Sequence, residues 1–154
     1  MTKHLFVISI GSVQDFISAA RRTRDLWFGS HLLSEISKAA AKAIADEGGK
    51  LIFPALDKDH HDLIPSHELL KDEERIKAFN VANIVLAELP DSIKDPSEVN
   101  KKARKAAKEL WMHYVNDTKK EIDDLDKNAI NSDIWTEQVI DEDEQEFDVM
   151  PIYS

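Results

Sequence analysis

The sequence predicts an α+β fold of the ferredoxin-like kind: a βαββαβ order whose antiparallel sheet carries its helices on one face, with helical and loop insertions. Three observations predict it. Short β-rich runs at Leu5–Ile10, Lys50–Phe53 and Val81–Ala87 are each stopped by Gly or Pro. Helical periodicity follows the first and third of these runs. A last apolar segment, Phe147–Tyr153, can close the order as a fourth strand. At 154 residues the chain is read as a single domain, 1–154, with a loop and helix inserted around 55–80.

Each element has its own warrant. Leu5–Ile10 is almost continuously apolar, as a central strand covered by helices should be. Gly11 ends it, at a turn that a residue with a Cβ would resist. Ser12 is the expected N-cap of a first helix, with Asp15 in the capping-box position. Val13, Phe16, Ile17, Ala20 and Trp27 form its apolar stripe, and Arg21, Arg22 and Arg24 lie off that stripe. Phe28-Gly29-Ser30 is expected to interrupt it, because Gly costs about 1 kcal/mol in a helix interior. A second helix then runs from His31 to Asp46 and stops at Gly48-Gly49. After the Lys50–Phe53 strand and Pro54 come an irregular stretch and a short charged helix, Leu69–Phe79. Pro96 opens a long helix at a position where its missing N–H does no harm. Val99, Ala103, Ala106, Leu110, Tyr114, Ile122 and Leu125 supply its apolar side, and a further helix is expected over Ser132–Glu144.

Composition narrows the function classes. No apolar run approaches the roughly 18 residues of a spanning helix, and no signal-peptide pattern follows the first strand. Cysteine is absent, which removes disulfides, thiolate zinc sites and cysteine nucleophiles and agrees with a cytoplasmic address. A net charge of -10 argues against general nucleic-acid binding by the bare chain. The charge is uneven: residues 1–50 hold seven basic and five acidic side chains, residues 51–154 hold 13 and 25. Seven carboxylates and no base occur between Glu137 and Asp148, which reads as a solvated helix face. A basic neighbouring subunit would be its natural contact.

No complete active site emerges from residue chemistry. Asp57-Lys58-Asp59-His60-His61-Asp62 has metal-ligand types, but it falls in an expected loop without support from His4, His31, His67 or His113. It reads as a polar surface loop, and no metal ligand is assigned. Gly48-Gly49-Lys50 lacks the span and hydroxyl of a phosphate loop. The three tryptophans read as core or interface anchors. The Ile10–Gln14 junction differs, because a strand leading into a helix N-terminus offers free N–H groups to phosphate. Arg21, Arg22, Arg24 and Gly29-Ser30 follow it closely in sequence.

Ile10-Gly11-Ser12-Val13-Gln14-Asp15-Phe16-Ile17, followed by Ala20-Arg21-Arg22-Thr23-Arg24-Asp25-Leu26-Trp27-Phe28-Gly29-Ser30 and Leu33-Ser34, resembles the large subunit of type III-B (Cmr) CRISPR effector complexes. The family pattern is I-G-P-V-Q-x-F-I, then A-R-x-T-x-D-L-W-x-G-S-x-x-x-S. Ile52-Phe53-Pro54, Ala82-Asn83 and Trp135-Thr136-Glu137-Gln138 fit the same region in order. The resemblance implies the first of two Palm (polymerase/cyclase-like) domains, which face each other and hold ATP between them. In such subunits target RNA triggers the joining of ATP into cyclic oligoadenylate. A ribose 3′-hydroxyl attacks an α-phosphate while two metal ions stabilise the attacking and leaving oxygens.

The departures from that pattern imply a non-catalytic half. The G-G-D-D metal motif of the second Palm is missing, Ser9 stands where Palms of polymerases carry an Asp, and Ser12 replaces the usual Pro. The amino-terminal HD nuclease domain of many relatives is also expected to be missing. By resemblance, Ser30 lies near the adenine, Gly11 and Gln14 shape the adjoining turn, and Arg21 and Arg24 are further nucleotide contacts. No catalytic residue and no metal ligand is expected on this half; Mg or Mn would be supplied mainly by the second Palm. Expected partners are that second Palm, the other Cmr subunits and, through the complex, CRISPR RNA and target RNA, with no membrane. The alternatives are a purely structural interaction domain or a self-dimerising nucleotidyl cyclase, which Ser9 disfavours.

Overall fold

Strand β1 (His4–Ile10) alternates by the pleat: Phe6, Ile8 and Ile10 turn into the core, whereas Leu5 and Val7 turn outward. The computed structural model describes residues 4–11, 18, 20–68, 80–125 and 152–153. Within them, β2 (Lys50–Phe53), β3 (Ile84–Leu89) and β4 (Ile152–Tyr153) complete a sheet of order β2-β3-β1-β4. Every neighbouring pair is antiparallel. With α1 (Thr23–Asp46) and α2 (Pro96–Leu125) between the strands, this is the βαββαβ ferredoxin-like order that the sequence predicts.

Among the described residues, one sheet face is packed by the helices and the other is exposed. Phe6, Ile8, Ile10, Leu51, Val85, Ala87 and Leu89 join Ile36, Ile44, Val99, Ala103 and Leu110 of the helices in a single core. Ala40, Ala41, Ala103 and Ala107 are fully buried, and side chains this small let the two helices approach closely. The opposite face presents Leu5, Val7, Phe53 and Ile84, all exposed. Register places Val7 beside Leu86, which faces Phe53, and Ser9 beside Ile84.

Two boundaries differ from expectation. No break occurs at Phe28-Gly29-Ser30; α1 runs unbroken from Thr23, Ala20–Arg22 are not helical, and the expected N-cap Ser12 with Val13–Ile17 lies outside the described residues. Asp25 accounts for the new start, because its Oδ2 accepts the Arg22 N–H at 3.0 Å, the return half of a capping box. The cost of Gly29 is offset by a helix whose next residues, Leu32–Ala41, are all buried. Trp27 is therefore not a core residue; it is 70% exposed. The third strand begins at Ile84 rather than Val81, since the Val81 N–H is taken by Ser34 Oγ at 2.7 Å. The expected helices Leu69–Phe79 and Ser132–Glu144 and the start of the last strand lie outside the described residues, as does the acidic stretch.

The insertion explains why the middle of α1 is buried all round. Its polar stripe Ser34, Glu35, Ser37 and Lys38 is buried: Ser34 and Glu35 bond the segment between β2 and β3, whereas Ser37 and Lys38 bond within the helix. Glu35 accepts the Ser66 N–H and pairs with Lys38 Nζ at 2.7 Å, both side chains at 0% exposure. Ser34 takes Val81 at the other end of the same insertion. Leu63, on a 3-10 turn (His61–Leu63), drives into the core at 0% exposure.

His67 closes the insertion against α2, its ring 4.5 Å from that of His113, and its buried Nδ1 has no hydrogen-bond partner. Burial, and then the neighbouring His113, hold its pKa below the usual imidazole value, against the raising influence of Glu68, Glu35 and Asp117. A depressed histidine pKa means that the unfolded chain takes up its proton first. Stability is therefore full above the unfolded value, near 6.5, and falls as acid is added below it. His67→Gln is expected to flatten that part of the stability–pH curve, read by urea melts between pH 5 and 8.

Candidate functional site

Helix α1 is longer than the sheet it covers. Its 24 residues span about 36 Å, whereas the seven of β1 span about 23 Å. The difference is about nine residues of helix, and it is found at the N-terminus: Thr23–Phe28 are all exposed, whereas Leu32–Ala41 are all buried. Direction follows from register. Asp46 is four positions before Lys50, which pairs with Glu88, and Glu88 pairs with Leu5 near the start of β1. The free first turns of α1 therefore project past the other end of the sheet, where β1 finishes.

That end is built from several elements. Gly11 leaves β1 with φ +63°, the left-handed region, so the turn needs a residue without a Cβ. Asn83 clamps the strand end, its carbonyl accepting the Ile10 N–H at 2.8 Å and its Nδ2 donating to the Ile10 carbonyl at 3.4 Å. Ser9, Ile84 and Tyr153 share the last row of the sheet. Among the described residues this row holds no carboxylate.

The overhang itself is cationic and aromatic. Arg21, Arg22 and Arg24 are exposed; Arg24 Nε is 3.7 Å from Asp25 Oδ1. Trp27 stacks on His31, one helical turn on, with centroids 5.7 Å apart and planes 5° from parallel. Leu26 and Phe28 are exposed beside it, and Ser30 lies on the exposed side before burial begins. Such a surface can take an anion on its guanidinium groups and a flat ring on its indole.

The structure thus gathers Arg21, Arg24 and Ser30 on one projection, at the end of the sheet that carries Gly11. Gln14 lies outside the described residues. Asn83, Trp27 and His31 belong to the same end and were not assigned there from sequence. Asn83 was read as part of the Val81–Ala87 strand and gave no signal of its clamp on Ile10; for Trp27 and His31 the signal was the i,i+4 spacing within a basic segment. Apart from these residues, the two histidines before Leu63 stand together with Asp62 at the 3-10 turn.

The family model of the CRISPR-associated protein Cmr2, N-terminal, matches residues 5–116. The chain belongs to the Cmr2 N-terminal family. It is therefore the N-terminal portion of a large subunit of the type III-B CRISPR effector, and the signature from Gly11 to Ser34 falls within the matched span. No curated protein and no solved structure matches the chain. Membership of the Cmr complex follows from the family, and among the described residues no helix of this Cmr2 portion is long and apolar enough to cross a membrane.

Proposed function

We propose that this Cmr2 segment is a Palm-like half-site that contributes ATP contacts and subunit contacts, without catalytic metal ligands, to a cyclic oligoadenylate synthase. The observation that carries the reading is the α1 overhang, where Arg21, Arg24 and Ser30 stand exposed at the end of β1. Guanidinium groups there suit phosphate oxygens, and the Ser30 hydroxyl can donate to or accept from an adenine edge. The residues fit a nucleotide and do not fit its metal. Ser9 and Ile84 offer no hard anionic oxygen, and the Asp25 carboxylate already caps the helix.

Mg or Mn bound by the second Palm would supply charge neutralisation on the transferred phosphoryl group. What this chain's own side chains do is bind and orient. Arg21 and Arg24 hold the phosphate tail, Ser30 sets the ring, and Gly11 keeps the strand end low enough for the nucleotide to lie over it. The uncovered sheet face with Leu5, Val7, Phe53 and Ile84 supports a facing domain that removes these side chains from water. That second Palm, the other Cmr subunits and, through them, guide and target RNA are the partners of this reading, in the cytoplasm. The same face is the observation that favours a purely structural interaction domain.

Calorimetric titration with ATP and Mg separates the readings. Binding is expected for the chain joined to the second Palm, with little by the chain alone. Ser30→Tyr is expected to abolish it without changing the melting temperature, because Ser30 is exposed. Unchanged binding in Ser30→Tyr would leave the purely structural role standing. Tight binding by the isolated chain would bring back the self-dimerising cyclase.

A further inference from the structure

We propose that His67 and His113 form an acid-released latch between the insertion and α2, opening there while the rest of the fold stays closed. The two imidazoles meet across these elements, centroids 4.5 Å apart and planes 41° from parallel. His67 sits on a 3-10 turn (Ser66–Glu68) of the insertion, and His113 lies in the second half of α2. Tyr114 completes the contact, its ring 6.5 Å from that of His67 and its hydroxyl 3.5 Å from Ser66 Oγ.

The closed contact suits an uncharged His67. Whichever nitrogen holds the proton of the neutral ring, the imidazolium carries one on both. A proton on Nδ1 is then buried without an acceptor, at an atom that has no hydrogen-bond partner. A proton on His113 has a partner, because its Nε2 stands 3.3 Å from Asp117 Oδ2, and that charge lies against the His67 ring. The carboxylates around His67 are Glu68 on its own turn, Glu35 on α1 and Asp117 on α2, and they favour the charged ring. Glu68 Oε1 is 3.9 Å from His67 Nε2, while Glu35 and Asp117 are engaged by Lys38 and His113. Burial and the facing His113 outweigh them.

The release is local because the other fastenings of the insertion do not titrate with it. Leu63 is packed in the core, and Ser34 Oγ holds the Val81 N–H. Glu35, held below the usual carboxylate value, stays ionised through the imidazole range and keeps both Lys38 and the Ser66 N–H. Acid therefore parts the turn from α2 and bares the Ser66 hydroxyl, while the Ser66 backbone stays tied to α1. Once parted, His67 is an ordinary imidazole that takes up its proton near pH 6.5, and this uptake drives the opening. The latch uses no residue of the nucleotide end and stands whether or not the chain binds ATP.

The chain has no cysteine, so Ser66→Cys places a single thiol where the hydroxyl faces Tyr114. Its rate of reaction with a pyridyl disulfide, divided at each pH by the rate in the urea-unfolded chain, reads the opening. That ratio is expected to rise about threefold or more from pH 7.5 to 5.5, with a ceiling of about tenfold set by one ordinary imidazole. His67→Phe keeps a ring in place but takes up no proton, and on the same background it should make the ratio independent of pH. His113→Gln should reduce the rise, and His61→Gln, at a side chain 80% exposed, should leave it unchanged. In the unsubstituted chain the Glu68 N–H, bonded to the Pro65 carbonyl at 3.0 Å, gives the same reading through its protection from hydrogen exchange. Protection at Ile36 and Val85, both fully buried, should hold over the same range. A ratio that stays flat, a rise that survives His67→Phe, or loss of protection at Ile36 and Val85 in step with Glu68 would overturn the latch.

Discussion

Lys38→Met is expected to lower the unfolding free energy by about 3–5 kcal/mol, the usual cost of removing one partner from a buried ion pair. Methionine fills most of the lysine stem, so the loss is electrostatic rather than a cavity. It strands Glu35, whose side chain is 0% exposed and whose remaining partner is Ser66. In the native protein burial pushes the Glu35 carboxyl up, but the Lys38 ammonium and the Ser66 N–H together outweigh it and hold the pKa below the usual carboxylate value. The stability this confers is full above the unfolded carboxyl pKa and is lost as pH falls through the folded one. Without Lys38 the raising influence of burial is opposed only by the hydrogen bonds from Ser66. The double variant Glu35→Gln/Lys38→Met keeps an acceptor for Ser66 and buries no charge, so it should regain most of the loss. Urea denaturation at neutral pH reads both variants. A cost below about 1 kcal/mol for Lys38→Met would mean that the pair is solvated in solution.

Leu63→Ala is expected to cost about 2–5 kcal/mol, the range for large-to-small changes in a packed core. Leu63 comes from the insertion, not from the βαββαβ frame, so the size of the effect measures how far the insertion has become part of the core. Leu5→Ala, at a side chain 67% exposed, is the reference and should stay within about 0.5 kcal/mol. Equal effects from the two substitutions would mean that the insertion lies loosely over the helices.

Strand and helix identity was legible where a local rule acts alone. Lys50–Phe53 and Pro96–Leu125 stand where Pro54 and Pro96 punctuate them, and Gly11 takes the left-handed turn that its position demands. Helix α1 was legible in its second half only. Gly29 reads as a break when its cost is considered by itself, but packing of the turns that follow outweighs that cost, a tertiary effect no window of sequence contains. Trp27 misled for a related reason. Its expected companions Val13, Phe16 and Ile17 lie outside the described residues, and Trp27 itself stands on the exposed first turns of α1. The polar stripe Ser34, Glu35, Ser37 and Lys38 could not be read as core at all, because its partners Ser66 and Val81 lie about thirty and nearly fifty positions away. The candidate nucleotide contacts came from a family signature, and the fold adds that Arg21, Arg24 and Ser30 stand on one projection.

The overhang of α1 divides one helix into two units of stability. Its inner turns open only when the whole domain unfolds, since they are packed on every side. The outer turns, from Thr23 to Phe28, are held by one cap, the Trp27–His31 stack and local backbone bonds, so they can fray and re-form while the core stays shut. Evolution can therefore revise the outer turns for a ligand or a neighbour without touching foldability. A defect produced there by substitution reports on recognition alone, uncontaminated by loss of native protein.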